Sequence, residues 1–356
     1  MNVKVVIGAN YGDEGKGLVS GCLARQAAKN NEKVLTVFYN GTMQRAHTFE
    51  GEVHRSMAAG TKYGTDTYYH HKFVIDPISI LLLQAKPIID PMCRVILPCD
   101  VLKNRSVETS RGAARHGSCG FGLFEAVKRS TQFGFCVRAI ELKDPYSLYN
   151  KLKDIEKKYP TPADDLYNLH NFTAAVDYIN SKCKIEEFDK IVREYDTVIY
   201  EGGQGLLLDQ FNKDCFPHLT PSSTGSTFIV DDIKKITEKP ELFYVSRSYM
   251  TRHGAGPMEC ECQKEDINKD ITDSTNIENE FQGSLRFGKI NVDTLKERIL
   301  NDAGLYNKKK VNLVLTQLNY TDNQILTTSG FDSLNCLSFS DSIYVSDQKD
   351  QMECLD

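Results

Sequence analysis

The chain lacks the features that mark nucleic-acid-binding and membrane-spanning proteins. Its formal charge of −5 over 356 residues leaves no excess of Lys and Arg to neutralise a phosphate backbone, so any nucleotide that it binds is expected to be small. No run of about 18 apolar residues occurs. The chain opens on Val3, Val5 and Ile7 without a charged leader segment. We therefore expect a cytoplasmic protein that binds neither nucleic acid nor membrane.

Paired cysteine spacing is also missing. The 11 cysteines are an odd number scattered over the whole chain, which fits reduced thiols better than a disulfide framework. Cys260 and Cys262 form the one close pair, and a lone C-x-C is weak evidence for a metal site. No repeat, low-complexity tract or linker divides the chain. We expect a single large catalytic domain over residues 1–356.

Strand-like and helix-like segments alternate along the chain. Residues 3–7 form a β-branched run, a glycine-bearing loop follows, and residues 18–29 have helical periodicity. Further strands are predicted at residues 34–39, 73–75, 94–97, 197–200, 241–245 and 311–315. This alternation predicts an α/β fold with a mainly parallel central sheet flanked by helices. Three other segments have distinct compositions: a helical insertion at residues 142–194, an exposed loop at 263–282, and an exposed tail after Ser338.

The strongest local signal is the sequence G-D-E-G-K-G at residues 12–17, directly after the first strand and before the first helix. Glycines let backbone N–H groups turn toward an anion, and Lys16 adds a cation at a helix N-terminus. The loop is P-loop-like but not a standard P-loop, because Gly17 stands where Ser or Thr should follow the lysine. Asp13 makes sense among phosphate ligands if a cation bridges them or if it accepts a proton, although a helix cap is the plainer alternative.

Polar glycine-rich loops recur after other predicted strands. His47 follows the second strand, E-G-G-Q-G occupies residues 201–205, T-R-H-G-A-G-P occupies 251–257, and G-S-L-R-F-G occupies 283–288. Any one of them could be only a turn, and His47 alone could be structural. Together, in an open α/β sheet, they indicate a shared nucleotide crevice.

Four of these motifs resemble the adenylosuccinate synthetase family in sequence and in order. Residues 12–17 resemble its G-D-E-G-K-G, residues 44–48 its N-A-G-H-T, residues 200–205 its F-E-G-A-Q-G, and residues 251–257 its T-R-V-G-A-G-P. The likeness spans about residues 3–320. In length the chain is nearer to short archaeal members and to phage enzymes acting on dGMP.

The resemblance implies a two-step ligase reaction. Asp13 would withdraw the proton from N1 of the purine and hold Mg²⁺ together with the backbone carbonyl of Ala46. His47 would act at the transferred γ-phosphoryl group, which Lys16 and the backbone of Gly15 and Gly17 would also contact. The amino group of L-aspartate would then displace phosphate at C6.

The resemblance also implies a set of binding residues and a homodimer. For nucleotide and phosphate these residues are Gly12, Glu14, Gly15, Gly17, Gln44, Thr48, Ser118, Cys119, Arg129, Gln204, Thr220, Arg252, Gly254, Gln317 and Asn319. Arg129 would reach across the dimer interface, with Lys128 an equal candidate. Ser284 and Arg286 would bind aspartate.

Departures from the family pattern leave the substrates open. The family's arginine-rich aspartate loop is reduced to Arg286, which weakens the assignment of aspartate. Its guanine-reading T-K-L-D is here T-Q-L-N at residues 316–319, so ATP is an alternative to GTP. The pair Asn319-Tyr320 resembles the phage enzymes, whereas Asp13 favours IMP over GMP or dGMP. A nucleotide kinase or hydrolase without an amino acid co-substrate, and a catalytically idle nucleotide-binding protein, are the alternatives from other classes.

Overall fold

The computed structural model describes residues 1–43, 45–272, 283–346 and 350–355. The predictions for Gln44 and for residues 273–282 of the long loop therefore lie outside the described residues. In the part described, no helix is long and apolar enough to cross a membrane. All 11 cysteines are free thiols, as expected from their irregular spacing.

The strands, in chain order, are β1 (Asn2–Gly8), β2 (Val34–Phe38), β3 (His47–Phe49), β4 (Glu52–His54), β5 (Asp66–Tyr69), β6 (Val74–Ile75), β7 (Ile88–Ile89), β8 (Arg94–Val95), β9 (Lys184–Ile185), β10 (Thr197–Gly205), β11 (Glu241–Arg247), β12 (Met250–His253), β13 (Glu261–Cys262), β14 (Leu285–Gly288), β15 (Lys310–Thr316), β16 (Ile325–Thr327), β17 (Gly330–Asp332), β18 (Ser342–Ser346) and β19 (Glu353–Leu355). The α-helices are α1 (Lys16–Lys29), α2 (Pro77–Leu82), α3 (Pro98–Arg111), α4 (Leu123–Gln132), α5 (Pro145–Lys158), α6 (Leu169–Lys182), α7 (Phe188–Ile191), α8 (Val230–Ile236) and α9 (Val292–Ala303).

Ten strands form the central sheet in the order β19-β18-β15-β11-β1-β10-β2-β5-β7-β9. All neighbouring pairs are parallel except β18 with β19. The predicted fold class, a mainly parallel sheet flanked by helices, is confirmed. Because β1 lies between β10 and β11, which are far from it in sequence, the order of the strands changes there, and open α/β sheets form their ligand crevices at the carboxyl ends of strands at such positions.

Alternating side chains of β1 serve the two faces of the sheet. Val6 is fully buried against α1, whose Val19 and Leu23 lie in the same apolar cluster. Val5 and Ile7 point to the opposite face and share a cluster with Leu295 and Ile299 of α9. Helices on both faces explain why the strand is an unbroken β-branched run.

Two segments differ from the sequence predictions. Residues 142–194 contain α5, α6 and α7 but also β9, which pairs with β7 and joins the segment to the central sheet. The prediction of an exposed tail after Ser338 was wrong, because β18 and β19 extend the same sheet. In β18, Ile343 and Val345 pack against one apolar cluster and Tyr344 against another, a period-2 alternation that marks a strand.

Arg129 lies in the core and not at a surface. Its side chain is 2% exposed and pairs with Asp100 at 2.8 Å, and its other donors bond the carbonyls of Val95 and Phe135. The guanidinium is fully used within the chain, so the expected reach across a dimer interface does not fit this position. Lys128, which is partly exposed, remains the candidate for that role.

Replacing Arg129 with Met should lower the free energy of unfolding by about 3–5 kcal/mol, because Asp100 would be left buried without its counter-ion. Urea unfolding measures the loss. The control is Lys157→Met, which breaks an ion pair with Asp154 on the exposed face of α5 and should leave the midpoint unchanged. Equal midpoints for the two variants would contradict this account.

Candidate active site

The loop between β1 and α1 has a backbone with several left-handed residues. Gly12 and Gly15 have φ values of 101° and 104°, and Asp13 adopts a left-handed φ of 59°. A left-handed aspartate is uncommon and costs conformational energy. The surrounding contacts must therefore hold it in place.

Side chains from neighbouring strands fix this loop by binding its carbonyl oxygens. Arg247, the last residue of β11, donates from Nε to the carbonyl of Asp13 at 2.7 Å. Thr316, the last residue of β15, donates from Oγ1 to the carbonyl of Glu14 at 2.7 Å. The parallel strands therefore hold the loop's backbone at their carboxyl ends.

The Glu14 carboxylate lies inside the loop. It accepts hydrogen bonds from the backbone N–H groups of Asn10 at 2.8 Å and Gly12 at 3.0 Å, and the ammonium of Lys16 lies 3.1 Å from its other oxygen. Both charged side chains are 2% exposed. A Cβ at Gly8 would stand 2.3 Å from Glu14 Oε2, so glycine is needed there. The Glu14 side chain thus stabilises the loop, which leaves its backbone for any contact with a nucleotide.

Asp13 combines solvent access with a perturbed acidity. The residue is exposed, yet protein surrounds its carboxylate closely enough that burial raises its pKa, against the opposing charges of Lys16, Arg247 and His253. These observations are consistent with a carboxylate that lines a cleft. A raised pKa makes a carboxylate a better proton acceptor, which is the chemistry predicted for Asp13.

His47 is held by a buried carboxylate that the sequence did not single out. Its Nδ1 lies 2.5 Å from Glu201 Oε1, at the carboxyl end of the buried part of β10. Arg45 Nη2 binds the same oxygen at 2.7 Å, and Ser20 of α1 donates to Oε2 at 2.6 Å. The Arg45 guanidinium also lies 3.6 Å from the centre of the Phe38 ring.

This network sets the protonation of both groups. Although burial alone would raise it, Arg45 and then His47 lower the pKa of Glu201 to about 2. Burial, followed by the charge of Arg45, lowers the pKa of His47 to about 4. His47 is therefore neutral near pH 7, and its Nδ1–H donates to Glu201 while Nε2 is left for a ligand.

His47 also lies directly against the start of α1, at the end of the G-D-E-G-K-G segment. A Cβ at Gly17, in the first turn of α1, would stand 2.5 Å from the Cβ of His47. Gly17 is therefore required for this close approach. The structure brings His47 and the G-D-E-G-K-G loop together, although 29 residues lie between Gly17 and His47 in the sequence.

Two more of the predicted residues converge on this loop. A Cβ at Gly12 would stand 2.8 Å from Gln204 Oε1, so the Gln204 amide abuts the loop. Burial, then the nearby charge of Asp13, raises the pKa of the Cys119 thiol to about 12. Ser118 precedes Cys119 and donates to the side chain of Asn104 at 2.9 Å.

The glycine loop after β12 lies against the Ser118-Cys119 segment. A Cβ at Gly117 would stand 3.3 Å from the Cα of Gly254. Arg252 is fully buried, donates to the carbonyls of Pro257 and His218, and therefore stabilises the loop from within. Thr220 is buried as well, and its hydroxyl has no hydrogen-bond partner among the described residues.

The remaining predicted residues are spread around the same edge of the sheet. Arg286 pairs with Glu261 and donates to the carbonyl of Gly256 at 2.8 Å, while Ser284 is exposed. Gln317 has a left-handed φ of 63°, and Asn319 next to it is exposed. Ala46 is exposed and Thr48 is half-buried in β3.

Sequence reasoning missed Glu201 and Arg247 as individual site residues. Each is a charged residue at the carboxyl end of a buried apolar strand, which is a signal that could have identified them. A model of the adenylosuccinate synthetase family matches residues 5–299. The chain belongs to the adenylosuccinate synthetase family.

Individual relatives agree with this membership. An adenylosuccinate synthetase from Crocosphaera subtropica is 28% identical over 301 residues, which cover 76% of this chain and 64% of the relative. One from Flavobacterium psychrophilum is 27% identical over 95% of this chain and 82% of its own length. The match thus spans less than two thirds of the length of the Crocosphaera subtropica relative.

Two solved structures share the fold. A fully ligated adenylosuccinate synthetase from Plasmodium falciparum superposes with a TM-score of 0.73 at 17% identity, covering 100% of this chain and 87% of that one. A cyanophage S-2L succinoaminodeoxyadenylate synthetase, bound to dGMP and to dATP as an energy donor, gives 0.62 at 17% identity, covering 97% and 92%. At this identity the likeness establishes the fold.

Stability should fall as the pH drops from about 6.5 to 4, because the unfolded chain protonates His47 whereas the folded chain does not. The pKa of His47 is lower in the folded chain than in the unfolded chain. The free energy of unfolding is therefore highest above the unfolded-state pKa, and acidification through this range lowers it by roughly 2–3 kcal/mol for this residue. His71, whose pKa is also lowered to about 4, adds to the slope.

His47→Gln, which keeps a donor for Glu201 but does not titrate, should flatten this part of the curve. Urea unfolding at a series of pH values measures the slope. His170→Gln on the exposed face of α6 is the control and should leave the slope as it is. An unchanged slope in His47→Gln would mean that the imidazole is not held neutral.

Proposed function

We propose that this protein is a ligase that joins L-aspartate to C6 of a purine nucleoside monophosphate, with GTP or ATP as phosphoryl donor. The observation that supports this proposal most strongly is that Asp13, Lys16 and His47 lie in the same region of the fold. Asp13 and Lys16 belong to the segment that leads into α1, and a Cβ at Gly17, next to Lys16, would stand 2.5 Å from the Cβ of His47. Membership of the family supports this class of reaction.

In the proposed reaction Asp13 takes the proton from N1 of the purine. The electron pair moves to O6, which attacks the γ-phosphorus, and the nucleoside diphosphate leaves with the bridging oxygen. His47, fixed by Glu201, faces the transferred phosphoryl group with its Nε2. The amino group of aspartate then attacks C6, and phosphate leaves with the former O6. Catalysis of this kind depends on positioning and charge neutralisation.

The residues proposed for Mg²⁺ fit that ion. Asp13 is an exposed residue with a carboxylate, and Ala46 is an exposed residue whose backbone carbonyl is proposed as the second ligand. Both are hard oxygen ligands, and Mg²⁺ commonly takes one or two carboxylates together with phosphate oxygens of the substrate. Bound there, Mg²⁺ would neutralise charge on the triphosphate.

Aspartate is proposed as the amino donor, with Arg286 and Ser284 as its ligands. Arg286 already pairs with Glu261 and binds the carbonyls of Gly254 and Gly256. A dicarboxylate would therefore have to share or replace Glu261 as the partner of this guanidinium. This places aspartate recognition on fewer charges than the family's arginine-rich loop provides.

IMP is the purine that Asp13 favours. GMP or dGMP is the second candidate, supported by the Asn319-Tyr320 pair and by the cyanophage structure, whose protein is bound to dGMP. We further propose a homodimer in the cytoplasm, with Lys128 as the residue that reaches the partner's nucleotide.

Phosphate release by the purified protein tests these proposals. ATP and GTP are crossed with IMP, GMP and dGMP, each with and without aspartate. Release that requires aspartate and IMP supports the main proposal, and release restricted to GMP or dGMP selects the second candidate. Release that ignores aspartate would instead identify a kinase or hydrolase, and no release would favour an idle nucleotide-binding protein.

Asp13→Asn should lower kcat by about 10²–10⁴-fold, since the amide cannot accept the N1 proton. Folding should be little affected, because asparagine tolerates the left-handed backbone at this exposed position. Steady-state kinetics and thermal unfolding measure the two effects. Asp322→Asn, the same change at another left-handed, exposed aspartate, is the control. Near-normal turnover in Asp13→Asn would show that Asp13 does not accept the N1 proton.

Asn319→Asp should shift the donor preference toward GTP. A carboxylate accepts hydrogen bonds from both N1–H and N2–H of guanine, and such charge-assisted bonds are worth about 1.5–3 kcal/mol, or about tenfold or more in the ratio of kcat/KM for GTP over ATP. Asn323→Asp, on the same exposed turn, is the matched control. An equal change in the GTP-to-ATP ratio of kcat/KM in both variants would show that Asn319 does not recognise the base of the donor nucleotide.

A further inference from the structure

A small cavity opens beside the candidate active site. It has a volume of about 190 Å³ and lies between the loops that follow β2 and β5, the helix α4 and the segment around Ser222. Its charged lining residues are Lys72 and Arg94, and its uncharged polar ones are Thr131, Gln210 and Ser222. None of the described residues that line it is acidic. The cavity is therefore positively charged.

Neither cation has an acidic partner among the described residues. The Lys72 ammonium lies 5.1 Å from the centre of the Phe228 ring, which holds it over the cavity. The Arg94 Nε is buried and has no hydrogen-bond partner. Both residues are partly buried, where an uncompensated charge and an unmade hydrogen bond are costly.

A carboxylate close to His71, that of Asp232, is already paired. Asp232 accepts a hydrogen bond from His70 Nε2 at 2.8 Å and pairs with Lys235 at 3.3 Å. It does not line the cavity. Burial, followed by the charges of His70 and Lys72, lowers the pKa of His71 to about 4, which agrees with an excess of positive charge here.

We propose that Lys72 and Arg94 form a phosphate-binding pocket. A doubly charged phosphate group would compensate the two cations that line the cavity, and a guanidinium suits the geometry of phosphate oxygens. The cavity is smaller than the range of about 300–1,000 Å³ typical of whole drug-sized ligands, so a single phosphate group fits it better than an entire nucleotide.

The position of the pocket suggests two sources for this phosphate. Ser222 donates from its backbone N–H to the carbonyl of Thr220 at 2.8 Å, so the pocket adjoins the proposed monophosphate site. The group could be the 5′-phosphate of the purine nucleotide, a reading that rests on the proposed function. It could equally be inorganic phosphate, the product of the reaction. None of the active-site residues predicted from the sequence lines the pocket.

Calorimetric titration of the full chain tests the pocket without any need for turnover. The probes are inorganic phosphate, IMP and inosine, which lacks the phosphate. We expect saturable binding of phosphate or IMP, weakened about tenfold or more in Lys72→Ala and in Arg94→Gln. Lys72→Arg should retain binding because it keeps the charge. Lys308→Ala, which removes an exposed lysine paired with Glu238, is the control and should bind as the wild type does.

The three probes separate the sources. Loss of IMP binding with inosine unaffected assigns the pocket to the 5′-phosphate, whereas loss of phosphate binding with IMP unaffected assigns it to the free ion; either result supports the proposal. Wild-type affinities in the folded Lys72→Ala and Arg94→Gln variants would overturn it. Failure of both phosphate and IMP to bind to the wild type would also overturn the proposal. If the two variants then weaken self-association, the compensating carboxylate comes from a second copy of the chain.

Discussion

The candidate site depends on one buried carboxylate, that of Glu201. A carboxylate that is 1% exposed must be compensated on all sides, and here three donors from two separate parts of the chain do so. Arg45 and His47 come from the segment between β2 and β4, and Ser20 comes from α1. Because Glu201 stands on a central strand, it fixes the histidine, the loop before it and the first helix relative to the sheet.

The same edge of the sheet organises the loop between β1 and α1. Arg247 and Thr316 stand at the carboxyl ends of their strands and bind loop carbonyls, while the Glu14 carboxylate binds loop N–H groups from inside. These contacts hold Asp13 in a left-handed conformation that an isolated loop would disfavour. The parallel sheet therefore holds a carboxylate of raised pKa and a neutral imidazole at the same edge, as the proposed chemistry requires.

Local sequence patterns predicted the segments that form the site. The contacts that were missed join residues far apart in the sequence. The strand β1, the glycine-bearing loop after it and helix α1 were predicted correctly. Each of these segments has a local sequence pattern that favours its structure: a β-branched run, glycines, and helical periodicity. The partnership of His47 with Glu201 joins residues 154 positions apart, and no local pattern encodes it. Arg129 was misassigned for the same reason, since its partner Asp100 lies on another helix. Lys72 and Arg94 gain meaning only when the fold places them around one cavity.

In the proposed mechanism one oxygen atom of the released phosphate comes from O6 of the purine, and an isotope measurement tests this most directly. IMP carrying oxygen-18 at O6 is turned over with GTP or ATP, Mg²⁺ and aspartate, and the released phosphate is analysed by mass spectrometry. The account predicts that each phosphate carries one oxygen-18 atom, because O6 leaves with the phosphoryl group. Phosphate without the label, with its new oxygen drawn from water, would show that the protein hydrolyses the triphosphate and would contradict the ligase mechanism.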